Sequence, residues 1–240
     1  MNIIMGLCGG GSRFKNVGVS LPKFLMIYNG APMIYHAVET IKIPGKIHFV
    51  VREDQLLENK HLEKLLLGLG DEIIVSKGRT RGAAESLLLA KNYIKDLNAP
   101  MLSANCDQYL SWNPFNLTDQ MQREPDVNFI VTYKETSPKC SYVKEQAGFV
   151  VEVREKRVIS NDATIGFYHW AHTRDFFQDA EQMIAEDHKE NGEYYVAPVY
   201  NYSIQRGLKV KKYAIDNAEF WPVGTPDDFM HFTGNTAFFD

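Results

Sequence analysis

The chain is 240 residues long, 45% hydrophobic and 23% charged, with a formal net charge of −4. That is ample material for a globular domain with a buried core. The mildly acidic balance argues against a nucleic-acid partner, and no apolar run approaches the ~20 residues of a membrane helix. Three widely spaced cysteines without a CxxC pair give no zinc site and fit a reducing compartment, and the N-terminus lacks the basic start of a signal peptide. A cytoplasmic protein is expected.

In chain order, Asn2–Leu7 (NIIMGL) reads as a compact buried strand. PMIYHAVETIK follows as a helix opened by Pro32, with Met33, Ile34, Ala37, Val38 and Ile41 on one face. Lys46–Arg52 is the next strand, and LENKHLEKLLLGL the next helix, stopped by Gly68 and Gly70. Asp71–Ser76 is a third strand, GAAESLLLAKNYI a third helix, and Ala99–Asn105 a fourth strand. Strand–helix alternation at this spacing predicts a parallel, doubly wound sheet with helices on both faces. Ligands of such sheets sit at the carboxyl ends of the strands, where Gly9–Arg13 and Cys106–Asp107 would meet.

The second half reads differently. VNFIVTYKE, CSYVKE, GFVVEVREK and ATIGFYHW are strands in close succession, with EQAG a hairpin turn. A helix with Phe176, Phe177, Ala180, Met183 and Ile184 on one face follows, then another around Tyr195–Arg206 and a late strand, LKVKKYAI. This half should extend the sheet antiparallel and carry the second substrate. One domain over 1–240 is expected, with two functional halves, 1–125 and 126–240.

GLCGGGSRFKNVGVSLPKFL, directly after the first strand, is the chemically suggestive stretch. Glycines there can bring backbone N–H groups close to an anion. The spacing fails the P-loop, because Ser-Arg-Phe follows Gly11, and fails the dinucleotide fingerprint, because Phe14 stands where a glycine is needed. What remains is a glycine loop with Arg13 behind it, suited to forked phosphate contacts, and Lys23 further on as a mobile point charge. A flexible surface loop with two solvated cations is the competing reading.

GGGSRF followed by PKFL resembles the signature loop of the nucleotidyltransferases that make sugar nucleotides. The resemblance continues in family order through MIYNGAPMIYHAVETI, KGRTRGAAESLLLAK, ANCDQYL, EKRVISNDATIGFYHW, GEYYVAPVYNYSI and VGTPDDF, from Met1 to about Phe232. It implies a three-layer α/β/α Rossmann-like fold with a mixed, mostly parallel sheet. It also implies Mg²⁺-dependent transfer of a nucleotidyl group from an NTP to a phosphorylated small molecule, usually a sugar 1-phosphate, with release of pyrophosphate. RGAAESLLLA, NCDQ and EYYVAPVYN look like the subgroup found among capsule and surface-polysaccharide proteins. From that likeness CTP is slightly preferred as donor, although no residue excludes uridine, guanosine or thymidine.

In the reaction so implied, a phosphate dianion approaches a highly anionic triphosphate. Two unit charges at 4 Å repel by ~1 kcal/mol in water and ~4 kcal/mol at an effective dielectric of 20. Catalysis is therefore mostly neutralisation and in-line positioning. By resemblance, Leu7, Cys8, Gly9, Gly10, Gly11 and Ser12 would wrap the nucleotide, Arg13 would grip the β,γ-phosphates, and Lys23 would serve the α-phosphate. Asp107 would be the metal ligand, its hard carboxylate suiting Mg²⁺ between α- and β-phosphate oxygens, although such an aspartate alone is more often a turn former. Thr80, Gly82 and Ala83 would face the base. Lys156, with Asn105, Gly166 and Glu193, would take the acceptor; taken alone, Lys156 beside Arg154 and Arg157 reads as a solvated strand face.

One position departs from the family pattern. Many members carry a second metal-ligating aspartate where FWPVGTP has Pro222, leaving Asp107 with more water, a substitute such as Asp216 or Glu219, or a weakened metal site. Two other readings stand beside the enzyme: a nucleotide-sensing module that lost the metal, and a glycosyltransferase of similar fold using a sugar nucleotide. Cys8 and Cys106 read as buried packing rather than nucleophiles, the histidines have no ligand spacing, and a homo-oligomer remains compatible with the sequence.

Overall fold

A computed structural model describes residues 1–234. β1 (Asn2–Gly6) leads through the short α1 (Ser12–Lys15), a 3-10 turn (Lys23–Leu25) and a ribbon of β2 (Ile27–Tyr28) and β3 (Ala31–Pro32) into α2 (Met33–Ile41). β4 (Lys46–Arg52), α3 (Glu53–Glu58), α4 (Leu62–Leu69), β5 (Glu72–Ser76), α5 (Ala83–Leu88) and β6 (Met101–Ala104) complete a parallel block. Pro32 is the N-cap of α2, whose buried Met33, Ile34, Ala37 and Ile41 form the expected stripe. The single helix expected over 57–69 is instead two. Asn59 bonds the carbonyl of Gln55 with both its backbone N–H (3.2 Å) and its side chain (2.9 Å), which ends α3. The helix expected as far as Ile94 stops at Leu88 and continues only as a 3-10 turn, Leu89–Asn92.

β7 (Gln108–Leu110) and α6 (Phe115–Arg123) precede β8 (Asn128–Lys134), β9 (Ser141–Gln146), β10 (Phe149–Glu155) and β11 (Asp162–Trp170). The β9–β10 turn falls at Ala147 and Gly148, both with positive φ (51° and 81°), the geometry a two-residue hairpin loop requires. α7 (Thr173–Ala185), α8 (Val199–Gln205), β12 (Val210–Ala214), β13 (Phe220–Pro222) and α9 (Pro226–Thr233) follow. α8 starts later than the predicted Tyr195, behind Pro198 at its N-cap. The central sheet runs β10-β9-β11-β6-β1-β4-β5, with β8 on the other side of β11 and β12 beyond it. β11 is antiparallel to β6, β8 and β9, as expected, but β12 pairs parallel to β8. The long path through α7 and α8 lets the chain re-enter the sheet in that direction.

Side chains alternate across the strands. Ile3, Met5, Phe49, Leu102 and Phe129 pack under α2, α4 and α6 on one face, whereas Ile4, Val50, Met101, Ile130 and Trp170 pack under α5, α7 and α8 on the other. A third cluster, including Phe14, Met26, Tyr28, Val223 and Phe229, ties α1 and the turn after Lys23 to β13 and α9. No helix among the described residues is long and apolar enough to cross a membrane.

From β1 the chain moves outward to β4 and β5, then returns to β6 on the opposite side of β1. The loops after β1 and β6 therefore diverge and leave a crevice at the carboxyl edge, the switch point where open α/β sheets take ligands.

Candidate active site

The glycine loop fills one side of that crevice. Gly11 has φ 61° and is the residue from which α1 starts, a left-handed backbone that glycine adopts without strain. The loop's carbonyls are tied from behind: the Arg52 guanidinium donates to the carbonyls of Cys8 (3.1 Å) and Gly9 (3.2 Å), and the Gln55 amide donates to that of Leu7 (3.2 Å). Asp54 holds Arg52 in place at 2.8 Å. Sequence reasoning missed Arg52 and Gln55. The signal was their place at the last residue of a predicted strand and just beyond it, at the edge already expected to hold the site. The Cys8 thiol is buried and its pKa is pushed up by desolvation, with Ser86 and Ser76 beside it.

Lys23 and Asp107 meet across the crevice, with Nζ 2.6 Å from Oδ2 and side chains only 24% and 20% exposed. Pro22 leads into the 3-10 turn that presents Lys23, and Asp107 closes the short turn between β6 and β7. Burial alone would raise the carboxyl's pKa, yet the charge and hydrogen bond of Lys23 hold it below the ordinary value. For Lys23, burial would lower the pKa, but Asp107 outweighs it and the net shift is upward. Both groups are thus charged near neutrality. Arg13 and Ser12 are exposed on α1, and Arg13's charge acts on both members of the pair. Burial pushes the neighbouring Cys106 thiol up to about 12, so it stays protonated.

The far wall is the segment after β13. Val223 N–H donates to the Asp107 carbonyl (3.0 Å), and a Cβ on Gly224 would fall 2.4 Å from Asp107 Oδ2. Pro222 stands opposite Gln108 in the β7–β13 ribbon and offers no ligand. Neither suggested substitute is free. Asp216 caps the turn at 217–219 by accepting from Ala218 N–H (2.8 Å), and Glu219 accepts from Asp216 N–H (2.9 Å). Among the described residues no three His, Cys, Asp or Glu side chains group around a metal position.

The loop after β5 is docked rather than open. Thr80 Oγ1 lies 2.6 Å from Ser86 Oγ, and Ala83 is exposed at the start of α5. Gly82 has φ 151°, and a Cβ there would fall 2.4 Å from backbone atoms of Tyr194, so its small size already serves packing against the segment ahead of α8. Tyr194 N–H donates to the Arg81 carbonyl and its own carbonyl accepts from Ala84 N–H, both at 3.0 Å.

The next residue along, Tyr195, reaches the other group of expected residues. Lys156, with φ 51°, directly follows β10 and donates from Nζ to the Tyr195 hydroxyl at 2.5 Å. Its ammonium also lies 4.5 Å from the centroid of that ring. Glu155 is 7% exposed and accepts from the Ser141 hydroxyl; desolvation raises its pKa, and the charges of Glu190 and Glu193 add to the rise. Asn105 lies against Gly166, where a Cβ would fall 1.9 Å from its amide nitrogen. Gly166 (φ 78°) sits where β11's register shifts between Thr164 and Tyr168. Tyr194–Tyr195 therefore joins the loop after β5 to Lys156, a link that spacing alone did not disclose.

Among solved structures, the chain is similar to a nucleoside-diphosphate-sugar pyrophosphorylase from Vibrio cholerae RC9, with 26% identity, a TM-score of 0.82, and coverage of 98% of this chain and 100% of that one. It shares the fold of an inositol-1-phosphate CTP transferase from T. maritima (19% identity, TM-score 0.74, 95% and 90% covered). It also shares the fold of a UDP-glucose pyrophosphorylase complexed with UDP-glucose (16% identity, TM-score 0.75, 97% of each chain covered). No curated protein matches the chain. The family described as nucleotidyl transferase matches residues 1–237, nearly the whole length, and the chain belongs to that family.

Proposed function

We propose that the chain transfers a nucleotidyl group from an NTP to a phosphorylated small molecule, first of all a sugar 1-phosphate, and releases pyrophosphate. Its role would be to make an activated precursor for surface polysaccharide in the cytoplasm, with CTP as the slightly preferred donor. Residues 1–125 would bind the nucleotide and 126–240 the acceptor. The observation that carries the reading is the 2.6 Å pair of Lys23 and Asp107 at the switch point, beside a glycine loop whose carbonyls are tied back by Arg52.

An acceptor phosphate oxygen attacks the α-phosphorus, and the bond to the bridging oxygen breaks as pyrophosphate departs. Negative charge builds on the α-phosphate oxygens. Lys23 swings from Asp107 onto them, while Arg13 and the loop amides hold the departing end. Lys156, steadied by Tyr195, holds the acceptor phosphate. A divalent cation fits a single ionised carboxylate at a strand end, since Mg²⁺ is commonly held by one or two carboxylates and the substrate's own phosphates. Asp107 would hold it, and the cation would supply neutralisation of the phosphate charge.

Thermal stability against CTP, UTP, GTP, ATP and dTTP, with and without Mg²⁺, tests the donor. A nucleotide at 100 times its dissociation constant stabilises by about 2.7 kcal/mol, several degrees for a chain of this size. One nucleotide standing out, followed by acceptor-dependent pyrophosphate release, supports the reading. Binding without release would favour a sensing module, and use of a sugar nucleotide without any NTP would favour a glycosyltransferase.

A further inference from the structure

The loop's glycines are small for different reasons. Gly11 needs its left-handed backbone and Gly9 faces open space, but a Cβ on Gly10 would fall 2.3 Å from a guanidinium nitrogen of Arg79. Gly10 is thus the seat of an arginine that arrives from the loop after β5. Between the two loops lies a cleft of about 470 Å³, with Gly10, Ser12 and Lys15 on one wall and Arg52, Lys77 and Arg79 on the other.

The charges of this cleft are unevenly balanced. Arg52 is neutralised by Asp54 and Lys77 by Glu53. The side chains of Arg79 and Lys15 have no ion pair or hydrogen bond among the described residues. An exposed arginine normally stays in bulk water, where its rotamers are free. This one lies over a bare stretch of backbone inside a cationic cleft. Two unpaired cations on facing walls suit a multiply charged anion far better than an uncharged base. A guanidinium adds the planar fork that fits phosphate oxygens two at a time.

We propose that Arg79 is a phosphate clamp. Laid on Gly10 and aided by Lys15, it grips the β- and γ-phosphates of the donor nucleotide, the part that leaves as pyrophosphate. The assignment rests on the nucleotidyl-transfer reading above and adds a residue to it. It makes the loop after β5 read nucleotide length as well as base, so a triphosphate is held where a monophosphate is not.

The test is calorimetric binding to the intact chain of inorganic pyrophosphate, and of CTP, UTP, GTP, ATP and dTTP each beside its monophosphate, for wild type, Arg79→Ala and Arg79→Lys. Melting curves check that the variants are folded. Removing Arg79 should weaken pyrophosphate and the donor triphosphate about ten- to hundredfold, the loss of one or two charge-assisted bonds, and change the monophosphate by less than about twofold. Arg79→Lys should recover part of the loss. Equal weakening of mono- and triphosphate would overturn the clamp in favour of base contact or loop folding, and unchanged binding would leave Arg79 a solvated side chain. A wild-type chain that binds none of these probes would overturn the nucleotidyl-transfer reading itself, an outcome the Arg79 variants by themselves do not produce.

Discussion

The two ends of the carboxyl edge keep their cations in opposite conditions. Around the glycine loop, Arg13, Lys15 and Arg79 are exposed and hold no ion pair among the described residues. At the end of β10, Lys156 is half-buried, donates to Tyr195 and lies 3.9 Å from Glu155. Between them, Lys23 rests on Asp107. A triphosphate is long, flexible and densely charged, and mobile cations can follow it. A single phosphate on a small acceptor gives fewer contacts, so a lysine whose orientation is fixed beforehand loses less entropy on binding it. In the proposed reading, the nucleotide end is completed by its ligand and the acceptor end is built in advance.

The pair shared by both ends should give the largest effects. Lys23→Ala and Asp107→Asn are each expected to lower turnover by about 10²–10³ or more, the scale of removing a group that meets charge developing in the transition state. Lys23→Ala should also cost about 1–3 kcal/mol of stability, because it strands a mostly buried carboxylate. Adding Asp107→Asn to it should restore stability without restoring turnover. Steady-state rates and urea denaturation read the two quantities separately. A single mutant that kept most of its rate would remove that residue from the chemistry.

How far the sequence discloses this arrangement depends on the range of the interaction. The parallel half was legible because each strand and helix is patterned locally, and Gly9–Arg13 and Asp107 fall just after predicted strands. Gly11's backbone and the 147–148 turn are local too. What stayed hidden is contact between distant segments. Arg79 on Gly10, Tyr194 on Gly82 and Tyr195 on Lys156 join residues 69, 112 and 39 positions apart, and nothing in the periodicity of either partner reports them. Besides the four-residue α1, two helices were missed for a different reason. α9 carries a readable start, with Thr225 capping Asp228 and Pro226 in the first turn, whereas α6 has only Leu117 and Met121 buried, too thin a stripe to declare itself.

Variants at the acceptor end should separate its pre-built character from the plasticity of the nucleotide end. Lys156→Ala is expected to raise the acceptor KM about tenfold or more, the loss of a charge-assisted bond, while the melting shift given by the donor nucleotide stays unchanged. Normal acceptor affinity in that mutant would sink the assignment. Tyr195→Phe keeps the ring beside the ammonium but removes the hydroxyl, so its effect on acceptor KM should be smaller and in the same direction. Gly82→Ala crosses the boundary between the two ends. Its Cβ would press on the backbone of Tyr194 at 2.4 Å, an overpacking worth about 1–3 kcal/mol of stability. Since Tyr195 is the next residue, acceptor KM should rise as well; a change confined to nucleotide binding would show that the two ends are not linked through this dipeptide.

The smallest effect concerns Glu155, where the pre-built end contains a buried acid. Desolvation raises its pKa above the ordinary 4.5, and Glu190 and Glu193 push the same way, while the Ser141 hydrogen bond and Lys156 oppose the shift without cancelling it. A folded state with the higher pKa keeps the proton at pH values where the unfolded chain has released it. The stability contributed by the protonated form is therefore complete below the unfolded value and is lost as pH rises through the folded one. Glu155→Gln has no proton to release and can still accept from Ser141. The stability of Glu155→Gln relative to wild type should accordingly climb as pH rises from about 4.5 to 8, by urea denaturation at fixed ionic strength. A flat difference would mean that Lys156 neutralises Glu155 fully in the folded chain. The acceptor lysine would then be engaged by a carboxylate as tightly as Lys23 is by Asp107, and the contrast between the two ends would narrow to the mobility of Arg13, Lys15 and Arg79.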